Sequence, residues 1–161
     1  MKAIVNSTPI ISLSILGKLD LLKIIFTEVI VPKAVYNEVV TKGSDKIGSK
    51  ELVSAKWINI METTNILGKS SIMLELDEGE AEVIILAKEK SIDTVLIDEF
   101  AGRQYASLLG LNVIGTLGIL LISKNKGLIG EIKPLLEALI NHHRYIDRSL
   151  YHYFLKLAGE E

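Results

Sequence analysis

Five short apolar runs, each followed by a segment with helical character, set what this chain can fold into. KAIV (2–5), EVIV (28–31), WINI (57–60), TVLI (94–97) and NVIG (112–115) are the strand candidates. Strands that are apolar on both faces must be covered on both, and their alternation with helices predicts a parallel sheet between helical layers. Thr8-Pro9 opens the first helix, with Thr8 as cap and Pro9 at the first helical position. ISLSIL and LDLLKIIF continue helically on either side of Gly17, and Pro32 opens PKAVYNEVVTK. A looser stretch around Gly43, Ser44 and Gly48 leads to a short helix before the third run. Helices are then predicted over 77–90, 99–109 and 116–126. Residues 131–158 are purely helical, broken near His142–Asp147. No repeat or linker divides the chain, so the expectation is one α/β domain over 1–161, with four to five strands and 131–158 packed on it.

Composition removes several function classes. Of the 161 residues 48% are hydrophobic, which argues against disorder, and there is no cysteine, hence no disulfide, zinc-thiolate site or thiol nucleophile. A net charge of −2 provides no global attraction for nucleic acid or membrane, so a polyanion must be held by a local patch or through metal ions. The amino-terminal run is interrupted at Asn6–Pro9 and reads as strand and helix, not as an export signal. VIGTLGILLIS (113–123) is too short to span a bilayer, so a cytoplasmic setting is expected.

The stretch ELDEGEAEVIILAKEK (75–90) poses the chemical problem. Acids at a helix start complement the amide groups exposed there, but one pointing inward needs compensation. On a wheel of about 100° per residue, Val83, Ile84 and Ala87 fall within about 60° of Glu80, while Glu78, Glu82 and Glu89 gather opposite as a solvated face. The same exercise sets Glu38 beside Ala34, Val35 and Val39, although periodicity alone reads it equally well as a surface residue. Asn6 and Asp98 each end a strand, at the sheet edge where open parallel sheets bind ligands, and Asp98 can equally cap the next helix. Convergence of Asn6, Glu38, Glu80 and Asp98 would crowd like charge. A hard dication relieves it, all-oxygen ligation selects Mg²⁺ or Mn²⁺, and such a site can activate water for phosphodiester hydrolysis.

The ordered set IVNSTPIISLSILGKLDLL, VIVPKAVYNEV, LDEGEAEVIILAKE, TVLIDEFAGRQYASLLGLNVIGTLGILL, GLIGEIKPLLEAL and LAGEE resembles the PIN-domain family, in particular small prokaryotic PIN-like proteins related to VapC-type toxins. The resemblance covers nearly the whole chain. It implies a PIN-like (Rossmann-like) three-layer α/β sandwich and a Mg²⁺- or Mn²⁺-dependent endoribonuclease acting on single-stranded RNA. It also implies a cognate antitoxin that inserts a basic side chain into the acidic pocket, and a homodimer. By position, the family's second, third and fourth acids match Glu38, Glu80 and Asp98, and its first, usually Asp, matches Asn6. Thr8 and Thr116 match its hydroxyl residues, and Glu99 stands where a second acid often follows. Asn6 is the departure: it ligates through a neutral oxygen, so either the enzyme has lower metal affinity or the chain is an RNA- or protein-binding module without turnover.

Other features weigh less. GKSS (68–71) lacks the first P-loop glycine, since position 63 is Thr63. Thr116 within GTLG can cap a helix whose amide groups face a phosphate. Arg103, Lys124 and Lys126 are candidate RNA phosphate contacts, and equally solvated charges. His142, His143 and His152, with Arg144, Tyr145, Arg148 and Tyr151, read as a solvated or subunit-contacting face. An aspartyl phosphatase is disfavoured because the amide at the end of the first strand cannot act as nucleophile.

Overall fold

The apolar runs pair side by side in the order that places the acids. The computed structural model describes residues 1–161, with strands β1 (Lys2–Val5), β2 (Glu28–Pro32), β3 (Ile58–Met61), β4 (Thr94–Leu96) and β5 (Asn112–Ile114). All pairings are parallel, in the order β3-β2-β1-β4-β5. Ala3 pairs with Val29 on one side and Thr94 on the other, so β1 is central, and Ala3, Ile4 and Val5 are wholly buried. The chain first steps outward from β1 to β3, then crosses back to lay β4 on the opposite side of β1. Right-handed crossovers send these two directions of travel to opposite faces of the sheet, which gives a three-layer α/β sandwich. They also leave a crevice at the carboxyl ends of β1 and β4, where the order reverses.

The helices are α1 (Ser7–Ile15), α2 (Leu21–Ile25), α3 (Lys33–Tyr36), α4 (Ser49–Ser54), α5 (Ile66–Ile72), α6 (Glu78–Lys90), α7 (Phe100–Leu108), α8 (Thr116–Asn125), α9 (Lys133–Asn141) and α10 (Arg148–Leu157). α1, α2 and α10 pack on α8, while α6 lies directly on β1, β2 and β4 with α3 and α5 against its other sides. Leu136 and Leu155 carry α9 and α10 into the core. No helix is long and apolar enough to cross a membrane.

Four expectations need correction. Asn6, not Thr8, is the N-cap position of α1, because β1 ends at Val5 and the extended backbone of Asn6 turns directly into Ser7; Thr8 therefore falls in the first turn. The helix foreseen over 32–42 splits: Pro32 completes β2, and α3 widens after Tyr36 into a π turn, Asn37–Thr41. GKSS lies within α5, a helix not foreseen, which Asn65 caps by accepting from the Gly68 N–H at 2.9 Å. The predicted solvated face of α6 also fails at Glu82, which is only 5% exposed. One of its carboxylate oxygens accepts from the Ala34 N–H at the start of α3 (2.9 Å) and the other from Lys69 Nζ (2.6 Å). Because α3 and α5 cover α6, every residue from Gly79 to Ala87 is buried and the wheel has no wet side there.

Lys69 also pairs with the exposed Glu78 at 2.9 Å, but its pairing with Glu82 is the one that matters for stability. Removing one partner of a buried ion pair leaves the other charge uncompensated, which typically costs 3–5 kcal/mol. Lys69→Ala is accordingly expected to lose about 3 kcal/mol in urea unfolding, and adding Glu82→Gln to recover part of that loss.

Candidate active site

Asp98 follows β4 and faces the crevice. Its two carboxylate oxygens accept from the Thr116 backbone N–H and the Thr116 hydroxyl, both at 2.7 Å. The Thr116 amide is thus taken by a carboxylate and does not face an open phosphate site. Arg103, one turn into α7, donates to the Ile97 carbonyl at 2.9 Å. A Cβ on Gly115 would stand 3.0 Å from both Asp98 Oδ1 and Arg103 Nη1, so glycine is what lets β5 pass this pair closely. Burial pushes the Asp98 carboxyl above its ordinary value; the Thr116 hydrogen bonds oppose the shift, Glu99 adds to it and Arg103 counters it.

Glu80 points inward as its wheel position predicts, and is 7% exposed. Asp77 fixes this first turn by accepting the Glu80 N–H at 2.8 Å, so the turn does not fray. Glu80 Oε2 is buried without a hydrogen-bond partner, and it occupies the space a side chain at Gly102 would need. Its carboxyl is pushed up to about 7, mainly by burial, with Asp77 and Glu99 adding to the shift.

Glu38 sits in the π turn, an element often found at functional sites. The residue is exposed, but its carboxylate end turns back toward α1 and α6. Ser7 donates to Oε1 at 3.2 Å. Oε2 lies 3.3 Å from the point a Gly79 Cβ would occupy, and Asn6 Oδ1 lies 3.3 Å from that same point. Desolvation raises the Glu38 carboxyl, against the Ser7 hydrogen bond and with the charges of Asp77 and Glu99.

Glu99 links the two halves. It accepts from Asn6 Nδ2 at 3.4 Å and from the Thr8 hydroxyl, and its charge raises Glu38, Glu80 and Asp98 alike. The contact orients the Asn6 amide, since the reverse flip would set two acceptors against each other. Asn6 Oδ1 is then left buried and without a partner, like Glu80 Oε2. Two orphaned oxygens among carboxylates suit a hard cation by chemistry. The fit is one of donor type: no three His, Cys, Asp or Glu side chains are grouped so as to clasp a metal ion as they stand.

A cavity of about 390 Å³ opens beside the cluster, lined by Thr8, Asp98, Glu99 and Thr116 from the sheet edge. Asn6, Glu38 and Glu80 lie off this lining; Asn6 reaches it through its hydrogen bond to Glu99, while Glu38 and Glu80 feel the Glu99 charge. A family model for the PIN domain matches residues 2–160. The chain belongs to the PIN-domain family. No curated protein and no solved structure matches it.

Within this PIN domain the expected site residues divide clearly. Asn6, Thr8, Glu38, Glu80, Asp98, Glu99 and Thr116 are brought to one sheet edge. Lys124 is not: it lies in the last turn of α8, about 12 Å of helix away from Thr116, and is bound to Glu160 at 2.8 Å. Ser7 and Asp77, which hold Glu38 and the start of α6, are not among the expected site residues; the adjacency of Asp77 to EGE is the signal the sequence carries for the second. The solvated or subunit-contacting face expected of His142, His143, Arg144, Tyr145, Arg148, Tyr151 and His152 is largely exposed, and three of its members, His143, Arg144 and Tyr145, also line the cavity that holds Asp98.

The raised Glu80 carboxyl makes stability depend on pH. Between the ordinary value of 4.5 and about 7 the folded chain holds a proton that the unfolded chain has released, so stability falls as pH rises through that window and is level above it. In EDTA, Glu80→Gln is expected to match wild type near pH 4 and to exceed it by roughly 2–3 kcal/mol at pH 8, read by urea unfolding at both pH values.

Proposed function

We propose that this PIN domain is a Mg²⁺- or Mn²⁺-dependent endoribonuclease that hydrolyses single-stranded RNA. Supporting the reading above all is the pair of partnerless buried oxygens, Asn6 Oδ1 and Glu80 Oε2, set among carboxylates that burial and mutual charge bias toward protonation. Glu38, Glu80 and Asp98 would hold the ion or ions, Asn6 would add a neutral oxygen, and Glu99 a further carboxylate. When bound, a hard dication supplies Lewis acidity toward water and phosphate oxygens. The chain itself positions the donors: Thr116 fixes Asp98, Asp77 fixes the turn that carries Glu80, Ser7 holds Glu38, and Asn6 with Thr8 holds Glu99. Hydrolysis adds water across one P–O ester bond, leaving a phosphate on one fragment and a hydroxyl on the other.

The biological setting that accompanies this reading is the toxin half of a VapC-type pair, working in the cytoplasm as a homodimer. Its antitoxin would place a basic side chain in the acidic pocket. Co-expression with the adjacent open reading frame and purification through a tag on one partner tests that arrangement; a chain that always elutes alone rejects it.

Cleavage of single-stranded RNA in Mn²⁺ tests the chemistry. Glu80→Ala and Asp98→Ala are expected to lose at least roughly a hundredfold, the upper end of what removing even an outer-sphere group costs a metal site. Equal residual cleavage in wild type and both variants refutes the assignment. A readout free of turnover accompanies it: at pH 8, Mn²⁺ raises the wild-type melting temperature and leaves Glu80→Gln unmoved.

One observation favours a second reading, a PIN-shaped module that binds RNA or protein without turnover. Asn6 spends its amide on Glu99 and brings no charge to the cluster. Asn6→Asp separates the two. Under the nuclease reading it changes an existing activity by roughly tenfold or less, whereas cleavage that emerges only in the variant supports the silent module.

A further inference from the structure

Part of the lining of the cavity that holds Asp98 comes from the turn between α9 and α10, and nothing in the acid cluster requires it to be there. α9 closes in a Schellman arrangement: the His143 N–H donates to the Ile140 carbonyl, and the Arg144 N–H to that of Leu139, both at 3.0 Å. His143 takes the left-handed position (φ 61°) that glycine usually fills at such an end. The reversal places Arg144 and Tyr145, consecutive in the chain, in the lining of the cavity that also holds Asp98 and Glu99.

These two side chains are not used by the fold. Arg144 takes part in no ion pair, although it lines the same cavity as two carboxylates. Tyr145 is 88% exposed and outside the core. Leu139, Ile146 and Leu150 give the same wall an apolar floor. Asp98 and Glu99 make the cavity anionic and repel a polyphosphate chain, so any strand entering needs a cation in the lining. An arginine beside an unstacked aromatic ring and a patch of apolar surface is the combination that grips single strands: guanidinium on a phosphate, ring on a base.

Resting on the ribonuclease reading, we infer that Arg144 and Tyr145 form the nucleotide-binding wall of the cavity. Arg144 holds a phosphate next to the scissile one, and Tyr145 stacks on an adjacent base. Stacking requires that base to be out of a duplex, so the wall selects single-stranded RNA.

The test is fluorescence anisotropy with a short end-labelled RNA in EDTA at low salt, single-stranded and annealed to its complement. Arg144→Ala and Tyr145→Ala each weaken single-strand binding by about tenfold, within the range for loss of one stacked base. Tyr145→Phe keeps the ring and binds like wild type, and Arg144→Lys recovers only part of the affinity. Arg148→Ala, an exposed arginine outside the cavity lining, serves as control and binds like wild type. The duplex binds less tightly and does not respond to Tyr145→Ala. In Mn²⁺ turnover the two alanine variants raise KM and hold kcat within about twofold, as loss of uniform binding requires. Wild-type affinity in both alanine variants, or an equal loss in Arg148→Ala, overturns the inference. If cleavage proceeds with KM unmoved by either variant, only this inference falls; if the wild type neither binds nor cleaves RNA, the ribonuclease reading falls with it.

Discussion

Like charge in a confined crevice is the constraint to which the rest of this molecule answers. Asp77, Glu80, Asp98 and Glu99, with Glu38 from the π turn, surround the ends of β1 and β4, and Glu99 raises the proton affinity of three of the others. Solvent cannot screen Glu80, which is buried with an oxygen that has no partner. The fold tolerates the arrangement because neutral donors do part of the work. Thr116 gives Asp98 two hydrogen bonds, Ser7 gives Glu38 one, and Asn6 gives Glu99 its amide. Asn6 is then more than an acid that lost its charge. At this junction an aspartate would set one more carboxylate against Glu99, and the amide replaces that repulsion with a hydrogen bond.

The sheet was readable because apolar runs between helical segments leave few alternatives, and all five runs pair within one residue of their expected spans. Asn6 and Asp98 were readable for the same reason, since a residue that ends a parallel strand has its place set by topology. Glu80 followed from a strong helical period. Glu82 did not, although it lies only two residues on. A wheel assigns one dry side to a helix, and α6 is covered on several sides by α3, α5 and the sheet. The π turn at Asn37–Thr41 left no mark in the period either, because Tyr36 and Val40 make that segment apolar all round.

The turn at His143–Tyr145 is legible as surface, but its place beside the acids is not. Polar and aromatic residues between two helices look like surface from any one-dimensional view, and they are surface: His143 and Tyr145 are exposed. What periodicity cannot supply is which surface. Only the return of α9 and α10 over α8 brings that turn round to the acids, and Glu160 secures the return by bonding to Lys124, Ile132 and Lys133 together. Lys124 is therefore committed to closing the carboxyl-terminal end rather than to a ligand.

The burial of Glu82 has a geometric consequence. Its carboxylate is bolted to the Ala34 amide in the first turn of α3 on one side, while its own backbone sits half a turn beyond Glu80 on α6. α3 runs on into the π turn that carries Glu38. Two arms of the acidic crevice, which arrive from segments some forty residues apart in the chain, are thereby mounted on a common bracket. Glu82 thus couples the support of Glu38 to the helix that bears Glu80, whereas Asp98 has a separate anchor at Thr116.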